Sequence, residues 1–258
     1  MPDHWLDKKT GHPIGFRDLK LFKGIAKNFS EVGLQAAACS QRTKRDGSLA
    51  CSSERQIPGV RVDAERKTEK EMRRILLHTC CANCAIFPLK RLREAHIEVF
   101  GFFYNPNIHP FQEYRRRLEA AASFFRSQEV RLIVHDEYDL EGFLRGVVFR
   151  EEDRCSYCYF RRLETTARRA KKSRLDAFTT TLLHSRHQNH DLIRAMGESL
   201  GRRYGIPFYY EDFRLGWIEG IEESKKMGLY RQQYCGCIYS EKERYLGKRG
   251  RQTKTSIV

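Results

Sequence analysis

A chain of 258 residues, 40% hydrophobic and 31% charged, can build one large core or two small ones. No apolar run approaches the ~20 residues that span a bilayer, and the N-terminus lacks the apolar centre of a secretion signal. A cytoplasmic protein with no membrane partner is therefore expected, and nine cysteines in that compartment are not expected to be structural disulfides. The net charge of +15 points to an anionic partner.

Residues 1–71 carry Gly, Ser, Gln, Lys and Arg in no order that must pack, as in Ser40–Arg55. A disordered or non-native extension is expected, with at most a short helix over Phe16–Phe29. Met72 is an alternative start, because Met-Arg-Arg-Ile-Leu-Leu-His opens a strand directly. Cys39 and Cys51 are left out of the chemistry.

From Arg74 the pattern becomes regular. Ile75–His78 reads as a strand and Ala85–Ala95 as a helix. Glu98–Tyr104 is a second strand, rich in aromatic and β-branched residues, broken by Asn105-Pro106-Asn107. His109-Pro110 leads into a helix reaching about Gln128, with Tyr114, Leu118, Ala121, Ala122 and Phe125 on one face. Val130–Val134 is a third strand and Leu140–Val148 a short helix. Cys158–Lys171 is helical, with Arg161, Arg162, Arg168, Arg169, Lys171 and Lys172 expected on its exposed side. Ala177–Thr181 is a fourth strand, Asp191–Tyr204 a helix, Phe208–Tyr210 a fifth, short strand, and Ile218–Met227 a last helix. Residues 248–258 form a basic, mobile tail. Strands alternating with helices predict an α/β domain over 72–247: a Rossmann-like parallel sheet with helices on both faces. Its chemistry is expected at the C-terminal edge of the strands, in a cysteine-lined site.

Seven cysteines fall in close groups: Cys80, Cys81 and Cys84; Cys155 and Cys158; Cys235 and Cys237. Such grouping favours metal or redox chemistry over packing. His78-Thr79-Cys80-Cys81-Ala82-Asn83-Cys84 lies where the first strand opens onto a helix, whose positive end favours thiolates. Cys155-Ser156-Tyr157-Cys158 can grip one metal from a single turn. Adjacent cysteines diverge in extended chain, so Cys80 and Cys81 can both ligate only where the loop bends. The two pairs supply four thiolates, enough for one 4Fe–4S cluster or one closed zinc site, and spacing alone leaves both open. Cys235-Gly236-Cys237 can close a small, strained and easily reduced ring, or add two ligands. No glycine-rich phosphate loop follows the first strand, so ATP chemistry is not expected.

Leu76-Leu-His-Thr-Cys-Cys-Ala-Asn-Cys84, Phe103-Tyr-Asn-Pro-Asn-Ile-His-Pro110, Arg154-Cys-Ser-Tyr-Cys158 and Tyr234-Cys-Gly-Cys237 together resemble the QueH type of epoxyqueuosine reductase. Asp212-Phe213-Arg214 and Lys225–Tyr230 add to the likeness, which runs in order from about Arg73 to Leu246; Asn83 departs from the proline more usual there. The resemblance implies reduction of epoxyqueuosine to queuosine at the wobble position of a tRNA anticodon. It implies a 4Fe–4S cluster on Cys80, Cys81, Cys155 and Cys158, and a redox-active disulfide of Cys235 and Cys237. An adjacent iron with Cys84, Asp212 or the C-x-C pair is a further implication.

Removing the epoxide oxygen takes two electrons and a proton donor, for which His78, His109 and Asp212 are candidates. The electrons come from a donor that the sequence does not identify. Arg115, Arg116, Arg117, Arg161 and Arg162 can contact tRNA phosphates, and Tyr104, Tyr157, Tyr159 and Tyr230 can stack on a splayed base. The rival reading is a non-catalytic, zinc-stabilised RNA-binding module.

Overall fold

Ile75, Leu76 and Leu77 carry no exposed surface, and the sheet is built around them. A computed structural model describes residues 73–247; the expected extension 1–71, the helix within it and the basic tail 248–258 lie outside the described residues. The strands are β1 (Arg74–His78), β2 (Glu98–Phe103), β3 (Leu132–Val134) and β4 (Ala177–Thr180). They form one parallel sheet in the order β3-β2-β1-β4, with Leu77 opposite Gly101 on one side and Thr179 on the other. Successive residues of a strand face opposite sides. Burial of every residue from Ile75 to His78 therefore means that both faces are covered, as an all-parallel sheet requires.

The helices are α1 (Ala82–Glu94), α2 (Phe111–Ser127), α3 (Leu140–Val147), α4 (Arg154–Lys172), α5 (His190–Tyr204), α6 (Trp217–Lys226) and α7 (Ile238–Leu246). Ile75 and Leu77 pack with Ala85, Leu89 and Leu92 of α1 and with Phe124 and Phe125 of α2. Leu76 and His78 face the other side, where α4 lies against β1 and β4 through the buried Leu163, Ala167 and Ala170. Each buried aliphatic side chain contributes about 1.5–3 kcal/mol.

Close approach of α2 to β2 depends on one glycine. A Cβ at Gly101 would stand 2.5 Å from Phe125 Cε1 and 2.9 Å from Leu132 Cδ1, both inside the packed core. Gly101→Ala is expected to destabilise the domain by about 1–3 kcal/mol through overpacking. Urea unfolding with an unchanged slope and a lower midpoint is the result that would show it.

Two expectations are corrected. Phe208–Tyr210 is not a strand; a single bridge joins Phe178 to Phe208. Pro207 has no N–H to donate, and β4 turns at Thr181 into a 3₁₀ segment, Thr181–His184, leaving nothing to pair with. The last helix is not α6 but α7, which buries none of its residues and so carries no apolar stripe to reveal it.

A candidate metal and redox centre at the sheet edge

The chain leaves β1 for β2 and β3 on one side and returns to β4 on the other. The carboxyl ends of β1 and β4 thus border the switch point where α/β sheets hold their ligands. Cys80, Cys81 and Cys84 sit there, all buried. The Cys80 amide donates to Thr181 Oγ1 (3.1 Å), and that hydroxyl reaches back to Cys80 Sγ at 3.4 Å. This pairing bends the loop, so the sulfurs of Cys80 and Cys81 point the same way, 3.7 Å apart. Cys84 follows Cys81 by three positions, one turn along the helix. The three Sγ atoms lie within 4.8 Å of one another, an arrangement that could hold a metal ion.

Cys81 is the N-cap of α1 and makes no side-chain cap bond, so the positive end of the helix is directed at the sulfurs. Hydrogen bonds from Cys81 and Cys84, helped by Thr181 and Arg162, hold the Cys80 thiol well below its usual range. Burial pushes Cys81 up; hydrogen bonding to the other two sulfurs, with burial, pushes Cys84 up. Within the trio the thiolate is thus favoured at Cys80 and disfavoured at Cys81 and Cys84. A bound cation would remove that difference, because a coordinated thiol loses its proton outright. The donor set fits a thiolate-bound metal.

The other four described cysteines stand around the same cleft. Cys155 and Cys158 occupy the first turn of α4. Cys158 is buried against Cys237, Phe143 and Val147, and burial raises its thiol pKa against the opposing charge of Arg162. Arg162, one turn further on, donates to Cys158 Sγ at 2.9 Å and to the Cys158 carbonyl at 3.2 Å. Cys235 is exposed and Cys237 buried, and all seven are unpaired thiols. Gly236 has φ +156°, outside ordinary side-chain territory, and its carbonyl accepts from the His109 amide at 2.8 Å. Together they border a cleft of about 650 Å³ lined by Cys84, Cys155, Cys158, Cys235 and Cys237 among others.

Residues that no local spacing could nominate complete the centre. Gln232 Nε2 donates to Cys81 Sγ (3.0 Å), while its Oε1 accepts from Asn83 (3.1 Å). Gln188 Nε2 donates to Cys235 Sγ (3.3 Å), and its Oε1 accepts from Tyr159 (2.8 Å). Arg117 donates to the carbonyls of Cys235 (2.7 Å) and Tyr234 (2.9 Å), and to Glu113 (2.6 Å). Tyr230 donates to the second oxygen of Glu113.

Arg117 and Arg162 were expected to face RNA, and the structure corrects this: both are buried, at 1% and 2% exposure. Three consecutive helical residues cannot share one face, so of Arg115-Arg116-Arg117 the third turns inward. Arg162 falls on the buried side of α4, one turn beyond Cys158. Arg115 stays near the surface, 3.6 Å from Glu119 and 3.7 Å from Asp136. Arg116 is exposed, and half-buried Arg161 reaches the Tyr104 hydroxyl at 3.3 Å.

The three candidate acids are placed away from the cleft lining. His78 Nε2 meets the Tyr104 carbonyl (3.2 Å), so it carries the proton, and Nδ1 accepts from Thr180 (2.9 Å). Burial and the charge of Arg162 lower its pKa to about 4; it is a neutral core histidine with both nitrogens engaged. His109 is buried beside Phe143 and Tyr138, has no hydrogen-bond partner for either nitrogen, and is lowered to about 4 by burial. Asp212 caps the 3₁₀ segment Phe213–Gly216 and is gripped by Arg214 at 2.8 and 2.6 Å. Those bonds keep it ionised, and it borders a separate surface depression with Phe87 and Leu215.

The fold and the site define a class: an α/β protein with a thiol-rich centre at the topological switch point. Residues 75–243 match the family model described as epoxyqueuosine reductase QueH. A protein of that name from Dehalococcoides mccartyi is 37% identical over 172 residues, covering 67% of this chain and 94% of the relative. One from Thermotoga maritima is 36% identical over 180 residues, covering 66% and 91%. One from Haemophilus influenzae is 31% identical over 234 residues, covering 86% and 91%. The chain belongs to the QueH family of epoxyqueuosine reductases and is an oxidoreductase. Among the described residues no helix is long and apolar enough to cross a membrane.

Proposed function

We propose that the chain reduces epoxyqueuosine to queuosine in the anticodon loop of a tRNA, in the cytoplasm, using an iron–sulfur centre and the Cys235/Cys237 dithiol. The observation that carries this is the gathering of seven thiols from three separate segments of the chain: Cys80, Cys81 and Cys84 within 4.8 Å of one another, and Cys84 with the other four on the lining of one cleft. The ligands proposed for a 4Fe–4S cluster are Cys80, Cys81, Cys155 and Cys158, with Cys84 beside them for an adjacent iron. When bound, such a centre supplies single electrons and a Lewis acid for oxygen.

The chain's own residues account for the balance of the reaction. Converting an epoxide to an alkene and water consumes two electrons and two protons. Oxidation of Cys235 and Cys237 to one disulfide releases both electrons and both protons, and an external reductant then restores the dithiol. The thiols thus supply the protons for which His78, His109 and Asp212 were candidates. Exposed Cys235 faces the substrate first, and Gln188 orients its sulfur. Arg162 and Arg117 place two buried positive charges toward the proposed ligands, Arg162 acting on Cys80 and Cys158 and Arg117 on Cys81, and favour the thiolates there. The surface arginines Arg115, Arg116 and Arg161 are left for phosphate contacts, and the +15 charge makes tRNA binding salt-sensitive.

Purification without oxygen and analysis of one sample for iron, sulfide and zinc tests the reading. About four irons and four sulfides per chain are expected, a fifth iron if the adjacent site fills, and removal of the iron is expected to end turnover. One tightly held zinc with no sulfide, persisting after attempted reconstitution, would instead describe an RNA-binding module without catalysis.

A further inference from the structure

One face of α6 is unaccounted for by the thiols. Trp217, Gly220, Ile221 and Ser224 all line the cleft, at the i, i+3, i+4 and i+7 spacing of a single helix face. Gly220 allows the approach: a Cβ there would stand 2.9 Å from His184 Nε2 and 3.8 Å from the carbonyl of Asn83. Trp217, one turn earlier, is thereby held beside the first turn of α1, which carries Cys84.

The indole is half-buried and firmly backed. His184 lies 5.5 Å from it, tilted by 36°, and His184 is itself stacked on Phe87 at 6.2 Å. The His184 Nδ1 proton goes to the Phe213 carbonyl at 3.1 Å, which fixes the ring. His187 meets the indole edge-on at 5.9 Å. The exposed Arg186 has its guanidinium 6.0 Å from the ring centre, at the outer limit of cation–π attraction, where it is free to exchange the ring for a phosphate.

A rigid aromatic plane on a wall of a thiol cleft, rimmed by a cation, is what a splayed nucleobase stacks on. The geometry points to Trp217 as the platform that holds the wobble base over the cysteine centre, with His184 and Phe87 as its backing and Arg186 as its phosphate contact. The inference rests on the RNA reading above and names a base-binding subsite within it.

The full-length chain has two tryptophans, Trp5 and Trp217, so Trp5→Phe leaves Trp217 as the only indole reporter. Two probes suffice: an anticodon stem-loop RNA with guanosine at the wobble position, and the same RNA abasic there. The first is expected to quench Trp217 fluorescence and the second not to. Trp217→Ala is expected to weaken binding of the guanosine RNA roughly 5- to 150-fold, to leave abasic binding unchanged, and to be largely rescued by Trp217→Phe, which also covers the case where the alanine variant fails to fold. If the guanosine RNA binds the wild type without quenching, and Trp217→Ala costs nothing or costs both RNAs equally, the platform is overturned while the RNA reading stands. If neither RNA binds the wild type, both fall together.

Discussion

A chain carrying serine at both Cys235 and Cys237 is expected to show no turnover of epoxyqueuosine while keeping the absorption of the proposed iron–sulfur centre. The two thiols are not among the three that cluster within 4.8 Å at the end of β1, so replacing them leaves those sulfurs and their hydrogen bonds from Thr181 and Gln232 in place. On the proposed reaction, what is lost is the pair of electrons and the pair of protons that one disulfide would release. Serine is close in size, and the backbone anchors of this loop come from Arg117, His109 and Ser240 rather than from the sulfurs, so the loop itself should persist. Nucleoside analysis of the tRNA product and the visible spectrum of the same sample read the two properties separately. Turnover at the wild-type rate would place the two-electron store elsewhere; a bleached spectrum would make the pair ligands instead.

Arg117→Met should be the most damaging of the substitutions outside the cysteines. Its guanidinium pairs with Glu113 at 2.6 Å with 1% and 7% of the side chains exposed, and it also ties down two carbonyls of the Tyr234–Cys235 segment. Removing one partner of a buried pair strands the other charge, at a cost of about 3–5 kcal/mol. Glu113 would be left with the Tyr230 hydroxyl alone. Pairing the change with Glu113→Leu removes the stranded charge, so the double variant is expected to be more stable than Arg117→Met by itself. Urea denaturation of the three proteins decides this. Release of the loop has its own signature: Cys237, buried in the native chain, should react faster with iodoacetamide in either variant. Equal stability of single and double variants would mean that Glu113 finds another partner.

How far the sequence reveals this molecule depends on the range of the interaction. The four strands and most of the helices follow from apolar period, because a buried stripe has to recur every two or 3.6 residues whatever it packs against. Helix α7 has no buried residue, so it leaves no such trace. The thiols are legible because their grouping is local, and the resemblance they carry extends across the domain. Which thiols meet is less so: Cys84 joins Cys80 and Cys81 only because the loop bends onto Thr181, 101 positions away. Gln188 and Gln232 look like any surface amides until the fold sets them against sulfur. The buried arginines mislead for a related reason. Arg162 stands four residues after Cys158, the spacing that places a side chain one turn below its neighbour, yet runs of arginine read first as solvated surface. Among the candidate acids, His78 is buried with both nitrogens engaged and Asp212 caps a 3₁₀ segment, surroundings that no local sequence pattern announces.

Gln232 donates to a thiol 151 positions earlier in the chain, and this separation has a consequence for how the protein is made. At ~5–20 residues per second of synthesis, Cys80, Cys81 and Cys84 leave the ribosome roughly 8–30 s before the segment that supplies the amide and the second dithiol exists. Through that interval three thiols close in sequence stand open to oxygen and to any thiophilic metal in the cell, and copper and zinc outcompete iron for such ligands on affinity alone. For the iron–sulfur centre proposed above, correct loading would then have to be settled by timing and delivery, with the centre finished after translation, once the last segment of the domain has closed over it.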